Sequence, residues 1–188
     1  MKRFFAALCL LLWTPFAALC FLLWAPLALA SSTEQWVGGN GQGLTWGAIC
    51  GSEVTTTSVA SGNAVLCSVS VTNGTALDIF ADFSISLASV TTPAGALWIG
   101  LYIYPLNEDG STYGDGLFGS AAAGPPDASY LGCSIKVTPS VTAIIVGMCR
   151  AVVLPPGTFK VVFYNAAGIA TASSGNTVDY RTYNRQQH

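Results

Sequence analysis

Charge is scarce in this sequence, and histidine is almost missing. Of 188 residues only 9% are Asp, Glu, Lys or Arg, and the single histidine is His188 at the end of the chain. Without an internal imidazole neither a Ser-His-Asp nor a Cys-His nucleophile can be assembled, because each needs a base that exchanges protons near neutral pH. No catalytic residue is assigned for that reason, and an enzyme is not expected. No Lys/Arg cluster exists to neutralise a run of phosphates, so nucleic acid is not an expected partner. There is also no CxxC pair and no second histidine, and no metal ligands are assigned. Beyond residue 30, no segment carries a helical apolar period over ten residues.

What is abundant comes first at the N-terminus. Lys2 and Arg3 precede an apolar run that ends in Ala28-Leu29-Ala30, just before Ser31-Ser32. Basic, apolar and small-x-small is the order of a secretory signal peptide, whose peptidase admits only small side chains before the cut. Residues 5–15, FAALCLLLWTP, recur almost unchanged as residues 16–26, FAALCFLLWAP. One copy already completes a leader, so the second adds apolar length. If helical, residues 4–30 reach about 40 Å against a bilayer core of roughly 30 Å, so a retained membrane anchor is the alternative. Membrane contact is expected only through this segment. Cleavage after Ala30 leaves the length of one domain, with five basic residues against nine acidic ones.

Cys50, Cys67, Cys133 and Cys149 lie beyond the leader. In an exported chain they are candidate disulfide cysteines with three ways to pair. Cys50–Cys67 and Cys133–Cys149 are the expected pairs, since each flanks one predicted turn region.

Residues 31–43, SSTEQWVGGNGQG, are polar and Gly-rich, the composition of a flexible arm. From residue 44 to 188 short runs rich in Val, Ile, Thr, Phe and Tyr are punctuated by Gly, Pro, Asn and Asp, the texture of a β domain. The clearest alternation is LDIFADFSISLAS. Leu77, Ile79, Ala81, Phe83, Ile85 and Leu87 share the parity expected to face the core, and Asp78, Asp82, Ser84 and Ser86 the parity expected to face solvent. Further strands are expected at 44–50, 64–72, 96–104, 130–137, 141–154, 158–165 and 176–183. The run from Thr142 to Cys149 is apolar on both parities and is expected to be buried on both sides. About eight strands in two layers make an all-β fold, a β-sandwich of jelly-roll type preceded by an N-terminal apolar leader helix; a barrel is the alternative.

Three features invite a functional reading. Asp78 and Asp82 stand about 13 Å apart along a strand, too far for either spacing of a glycosidase carboxylate pair, and read as a solvated face. The loop from Asn107 to Gly116 offers Asn107, Asp109 and Asp115 as oxygen ligands for Ca²⁺, and no other cofactor is expected. Its spacing is not that of an EF-hand, and its glycines more simply serve a long connection. Finally, Trp98, Tyr102 and Tyr104 share one parity of LWIGLYIYP. They could stack on sugar rings or a neighbouring subunit, lie under the 105–129 loop, or pack inside the sandwich.

The stretches LYIYPLNEDGSTYGDGLFGSAAAGPP (101–126), VVLPPGTFKVVFYNAAGIA (152–170) and SSGNTVDYRTYN (173–184) resemble small β-sandwich virion proteins of tailed bacteriophages, of head-decoration or tail type. The resemblance covers roughly residues 44–184 and rests on turn and strand motifs. It implies a structural or interaction role, with protein partners that are further copies of the chain or virion subunits, and assigns no functional residue. The leader departs from that pattern. With it the protein is periplasmic or extracellular; without it the protein belongs to the virion. A secreted carbohydrate-binding module, using Trp98, Tyr102 and Tyr104 on a surface glycan, is the alternative from another class.

Overall fold

Strands with one apolar face hide it by packing sheet on sheet. The computed structural model describes residues 34–37, 44, 46–75, 77–88, 98–114, 122–137 and 145–187; the expected leader (1–30) and Asp115 lie outside them. The described residues form strands β1 (Glu34–Val37), β2 (Gly47–Ala48), β3 (Asn63–Leu66), β4 (Val71–Asn73), β5 (Phe80–Leu87), β6 (Trp98–Pro105), β7 (Ala122–Ala123), β8 (Leu131–Lys136), β9 (Ile145–Val153), β10 (Gly157–Ala166) and β11 (Thr177–Gln187). A single helical turn, α1 (Ser52–Thr55), follows β2, and a 3-10 turn (Ala128–Tyr130) leads into β8. The eight expected strands all appear, the 64–72 stretch being divided into β3 and β4. β1 falls within the stretch read as an arm, where Trp36 and Val37 carry strand preference.

One sheet runs β1–β11–β5–β9, with β2 also on β11; the other runs β7–β3–β10–β6–β8, with β4 also on β10. The pairings of β2 with β11, β3 and β4 with β10, β5 with β9, and β6 with β8 are antiparallel. The two sheets form an all-β sandwich within a compact unit, Gln35–Gln186. Between the layers Phe83 and Ile85 of β5, Ile99 and Leu101 of β6, and Phe159 and Phe163 of β10 are fully enclosed. The second sheet is also covered on its outer face, where Tyr102, Tyr104, Val162 and Tyr164 form a separate buried cluster. Cover on both faces is why β6 and β10 are apolar at both parities.

Two expectations of burial need correction. In β9 Cys149 and Val152 are buried, whereas Val146 is 67% exposed and Met148 also stands open. β9 is the edge of its sheet, and no strand covers its outward row among the described residues. Ahead of β5, Leu77 and Ile79 are open and Asp78 is buried, the reverse of the expected alternation. Leu77, at a left-handed φ of 47°, and Ile79 precede the strand, while Asp78 is enclosed by its bonds to Asn73, Thr182 and Asn184.

Cys50–Cys67 and Cys133–Cys149 are disulfide-bonded, the pairs expected from the sequence, with Cα separations of 4.5 and 6.1 Å. Cys50 follows β2 and Cys67 follows β3; Cys133 lies in β8 and Cys149 in β9. Each bond therefore crosses from one sheet to the other, and the two do so towards opposite edges of the sandwich. Such bonds persist in oxidising surroundings.

Candidate functional site

The alternation of β6 places Trp98, Tyr102 and Tyr104 on one face, and β10 sets Ala166 and Val162 opposite the first two. Trp98 lies 5.3 Å from the Tyr164 ring, Tyr102 meets Tyr164 edge-on at 6.3 Å, and Tyr104 stacks on Tyr130 at 4.4 Å. Gly100 makes the arrangement fit, since a Cβ there would come within 2.7 Å of both the Trp98 and Tyr102 rings. The hairpin after β6 folds back so that Gly114, at φ +59°, rests on the Tyr104 ring; a Cβ would sit 1.6 Å from it. Tyr102 and Tyr104 are consequently buried, and only Trp98 keeps part of its surface in solvent. Burial, reinforced by Tyr164, pushes the Tyr102 hydroxyl above its ordinary pKa. The row is the floor of a second core whose lid includes Tyr113, Gly114 and Tyr130.

The hairpin is closed by its own polar groups. Asp109 accepts from the Thr112 hydroxyl, from the Thr112 N–H at 2.8 Å and from the Ser111 N–H at 2.9 Å. These donors, the Thr112 hydroxyl first, pull the Asp109 carboxyl down to about 2. Asn107 donates to the Gly114 carbonyl at 2.7 Å and to the Thr112 hydroxyl at 3.1 Å. Tyr113 then reaches Ser70, hydroxyl to hydroxyl at 3.0 Å, beneath the Lys160 ammonium 5.0 Å from its ring centre. Asn107 and Asp109 thus direct their side chains at the loop itself. Among the described residues no group of three or more His, Cys, Asp or Glu side chains gathers to hold a metal ion.

The acids read as a solvated face are both buried, and each is a knot between strands. Asp82 accepts from the Ala151 N–H at 3.0 Å, from Arg181 Nη2 at 2.7 Å and Nε at 3.1 Å, and from the Tyr183 hydroxyl at 2.8 Å. Arg150 and Ala151 of β9 face Asp82 alone across a β-bulge, and Ala151 adopts a left-handed φ of 53° that aims its N–H at the carboxylate. The indole of Trp46 lies 4.7 Å from the Arg181 guanidinium. Burial raises the Asp82 carboxyl, but the Ala151 N–H, the Arg181 guanidinium and the Tyr183 hydroxyl outweigh it and hold it below its ordinary value. Tyr183 is pushed up to about 12, by burial first and then by its hydrogen bond to Asp82. Asp78 accepts from the Thr182 hydroxyl at 2.5 Å and from the Asn184 amide at 3.0 Å.

Three buried asparagines were not singled out by the sequence. Asn73 exchanges bonds with the Asp78 N–H and carbonyl, both at 2.7 Å. Asn165 donates to the Val59 and Ile169 carbonyls at 2.8 Å and accepts from the Ala167 N–H. Asn176 ties Val54, Ala172 and Ala88 together in the same manner. The one available signal was position: each sits at a strand end or turn, where an amide can satisfy loop backbone.

No protein-family model matches the chain, and no curated protein or solved structure matches it. Among the described residues no helix is long and apolar enough to cross a membrane.

Proposed function

We propose that the domain is a non-enzymatic structural or interaction module of jelly-roll type, a building block of an assembly such as the virions its motifs resemble. It is exported where the leader is present. The carrying observation is the nesting of strand pairs. With β3 and β4 counted as one strand and the short β1 and β7 set aside, the first strand pairs with the eighth, the second with the seventh, the third with the sixth and the fourth with the fifth. A long antiparallel ribbon folded over on itself produces that order, and it is the order of a jelly roll. Disulfides towards both edges make such a scaffold stiff. Asp78 and Asp82 direct their hydrogen bonds at the fold, and Tyr102 and Tyr104 are enclosed, which favours a surface acting by shape and apolar contact.

The test is purification from the native source, with electron microscopy of co-sedimenting particles, intact-mass measurement and a glycan array. Co-purification with virions, or a defined oligomer, is the expected result. A mature N-terminus at Ser31 with two disulfides is expected for the exported form. Saturable sugar binding by a monomer, lost in Trp98→Ala, would replace this reading with a carbohydrate-binding module.

A further inference from the structure

The sequence holds two methionines, Met1 in the expected leader and Met148 in β9. β9 is the edge of its sheet, and Met148 stands on its outward row, 43% exposed. Its sulfur lies 3.3 Å from Nε of Arg150, two positions further along the same strand. Arg150 is itself open, and the ion pair among the described residues, Arg181 with Asp82, does not involve it. Its Nε–H is spent on a thioether, which is a weak acceptor. Ser84 of β5 is the residue opposite Met148, and side chains paired in that way begin about 5 Å apart. A soft, polarizable sulfur open to water thus has a permanently charged donor beside it and a hydroxyl on the next strand.

We infer that Met148 is a modification site, oxidised to its sulfoxide by hydrogen peroxide, and that Arg150 holds the oxygen gained. The thioether sulfur attacks one peroxide oxygen, and the S–O bond forms as the O–O bond breaks. The departing hydroxide takes the proton left on the transferred oxygen and leaves as water. Sulfur gives up two electrons and the peroxide accepts them, so no further reactant is needed. Negative charge grows on the departing oxygen beside the guanidinium, which stabilises it. The sulfoxide oxygen is then a strong acceptor where the sulfur was a weak one, and the Arg150 Nε–H makes a charge-assisted bond to it. Both side chains are open, so a small turn of either accommodates the added oxygen. The product differs in kind from the starting surface: an apolar edge position becomes a polar, chiral one tied to Arg150.

Timed treatment of the purified full chain with hydrogen peroxide, read by mass spectrometry of its peptides, tests this. An unstructured methionine peptide in the same tube sets the reference rate. Met148 is expected to gain one oxygen at least as fast as the reference, although more than half of its surface is covered. Arg150→Leu, at an open position, is expected to slow that gain by about threefold, the worth of one net hydrogen bond. Nuclear magnetic resonance of the wild type reads the same contact without a variant, since the Arg150 Nε–H signal is expected to move on oxidation. A Met148 slower than the reference overturns the inference. So does a rate unchanged in Arg150→Leu, or an Nε–H signal that stays where it was.

Discussion

Removing the disulfides one at a time should divide the stability of the domain into two similar portions. Cys50–Cys67 closes a loop of 17 residues and Cys133–Cys149 one of 16, and loops of that length restrict the unfolded chain by about 3 kcal/mol each. Together that is about 6 kcal/mol, set against a net stability of roughly 5–15 kcal/mol for a typical domain. With a urea dependence of about 2 kcal/mol per molar, either Cys→Ala pair should lower the unfolding midpoint by about 1.5 M. The order of reduction is also specified. Cys50 and Cys67 are 1% and 0% exposed, whereas Cys133 is only half-buried, so a mild reductant should open Cys133–Cys149 first. Urea unfolding of both double variants, with mass spectrometry of alkylated thiols after timed reduction, reads both quantities. A loss below about 1 kcal/mol in either variant would refute the loop-closure reasoning, and prior reduction of Cys50–Cys67 would refute the accessibility reasoning.

The Asp82 knot predicts a pH window. Its lowered carboxyl contributes stability above the ordinary carboxylate range that is lost as pH falls through the folded value, while the raised Tyr183 contributes stability below pH 10 that is lost towards 12. Asp82→Asn should flatten the acid limb, cost about 2 kcal/mol at neutral pH and bring the Tyr183 tyrosinate titration down; an unmoved titration would contradict the hydrogen bond. Gly114→Ala drives a methyl into the Tyr104 ring at a positive φ, and should cost about 2 kcal/mol or more and brighten tyrosine accessibility in hydrogen exchange or modification assays. Asn165→Ala strands the Val59 and Ile169 carbonyls and the Ala167 N–H, and should lower stability by about 2–4 kcal/mol in thermal unfolding; an effect under 1 kcal/mol would show those groups rehydrate.

Strand positions and the cysteine pairs were legible because both depend on local signals: β-branched and aromatic runs between turn residues, and cysteines flanking one turn. What the sequence hid was which faces are covered. Tyr102 and Val161–Tyr164 lie in stretches apolar on both parities because the outer face of their sheet has its own lid, yet the equally apolar run into β9 lies at an edge and leaves Val146 and Met148 open. Periodicity cannot distinguish those cases, since cover is supplied by residues far along the chain. Asp82 was misread for the same reason: Arg181 and Tyr183, about 100 residues later, convert a polar strand face into a buried one. Asp78 is held in the same way, by Thr182 and Asn184 more than 100 residues later and by Asn73 just before it.

The nesting of strand pairs has a consequence in time. β11 lies between β2 and β5, and its pairing with β2 joins residues about 130 positions apart. Until β11 has left the ribosome, β2 and β5 have no strand between them and the first sheet cannot close, whereas the β6–β8 pair can already form. Closing so long a loop late makes folding slow and leaves apolar strands uncovered for a long interval. A chain of this topology depends on β11 to become a sandwich at all.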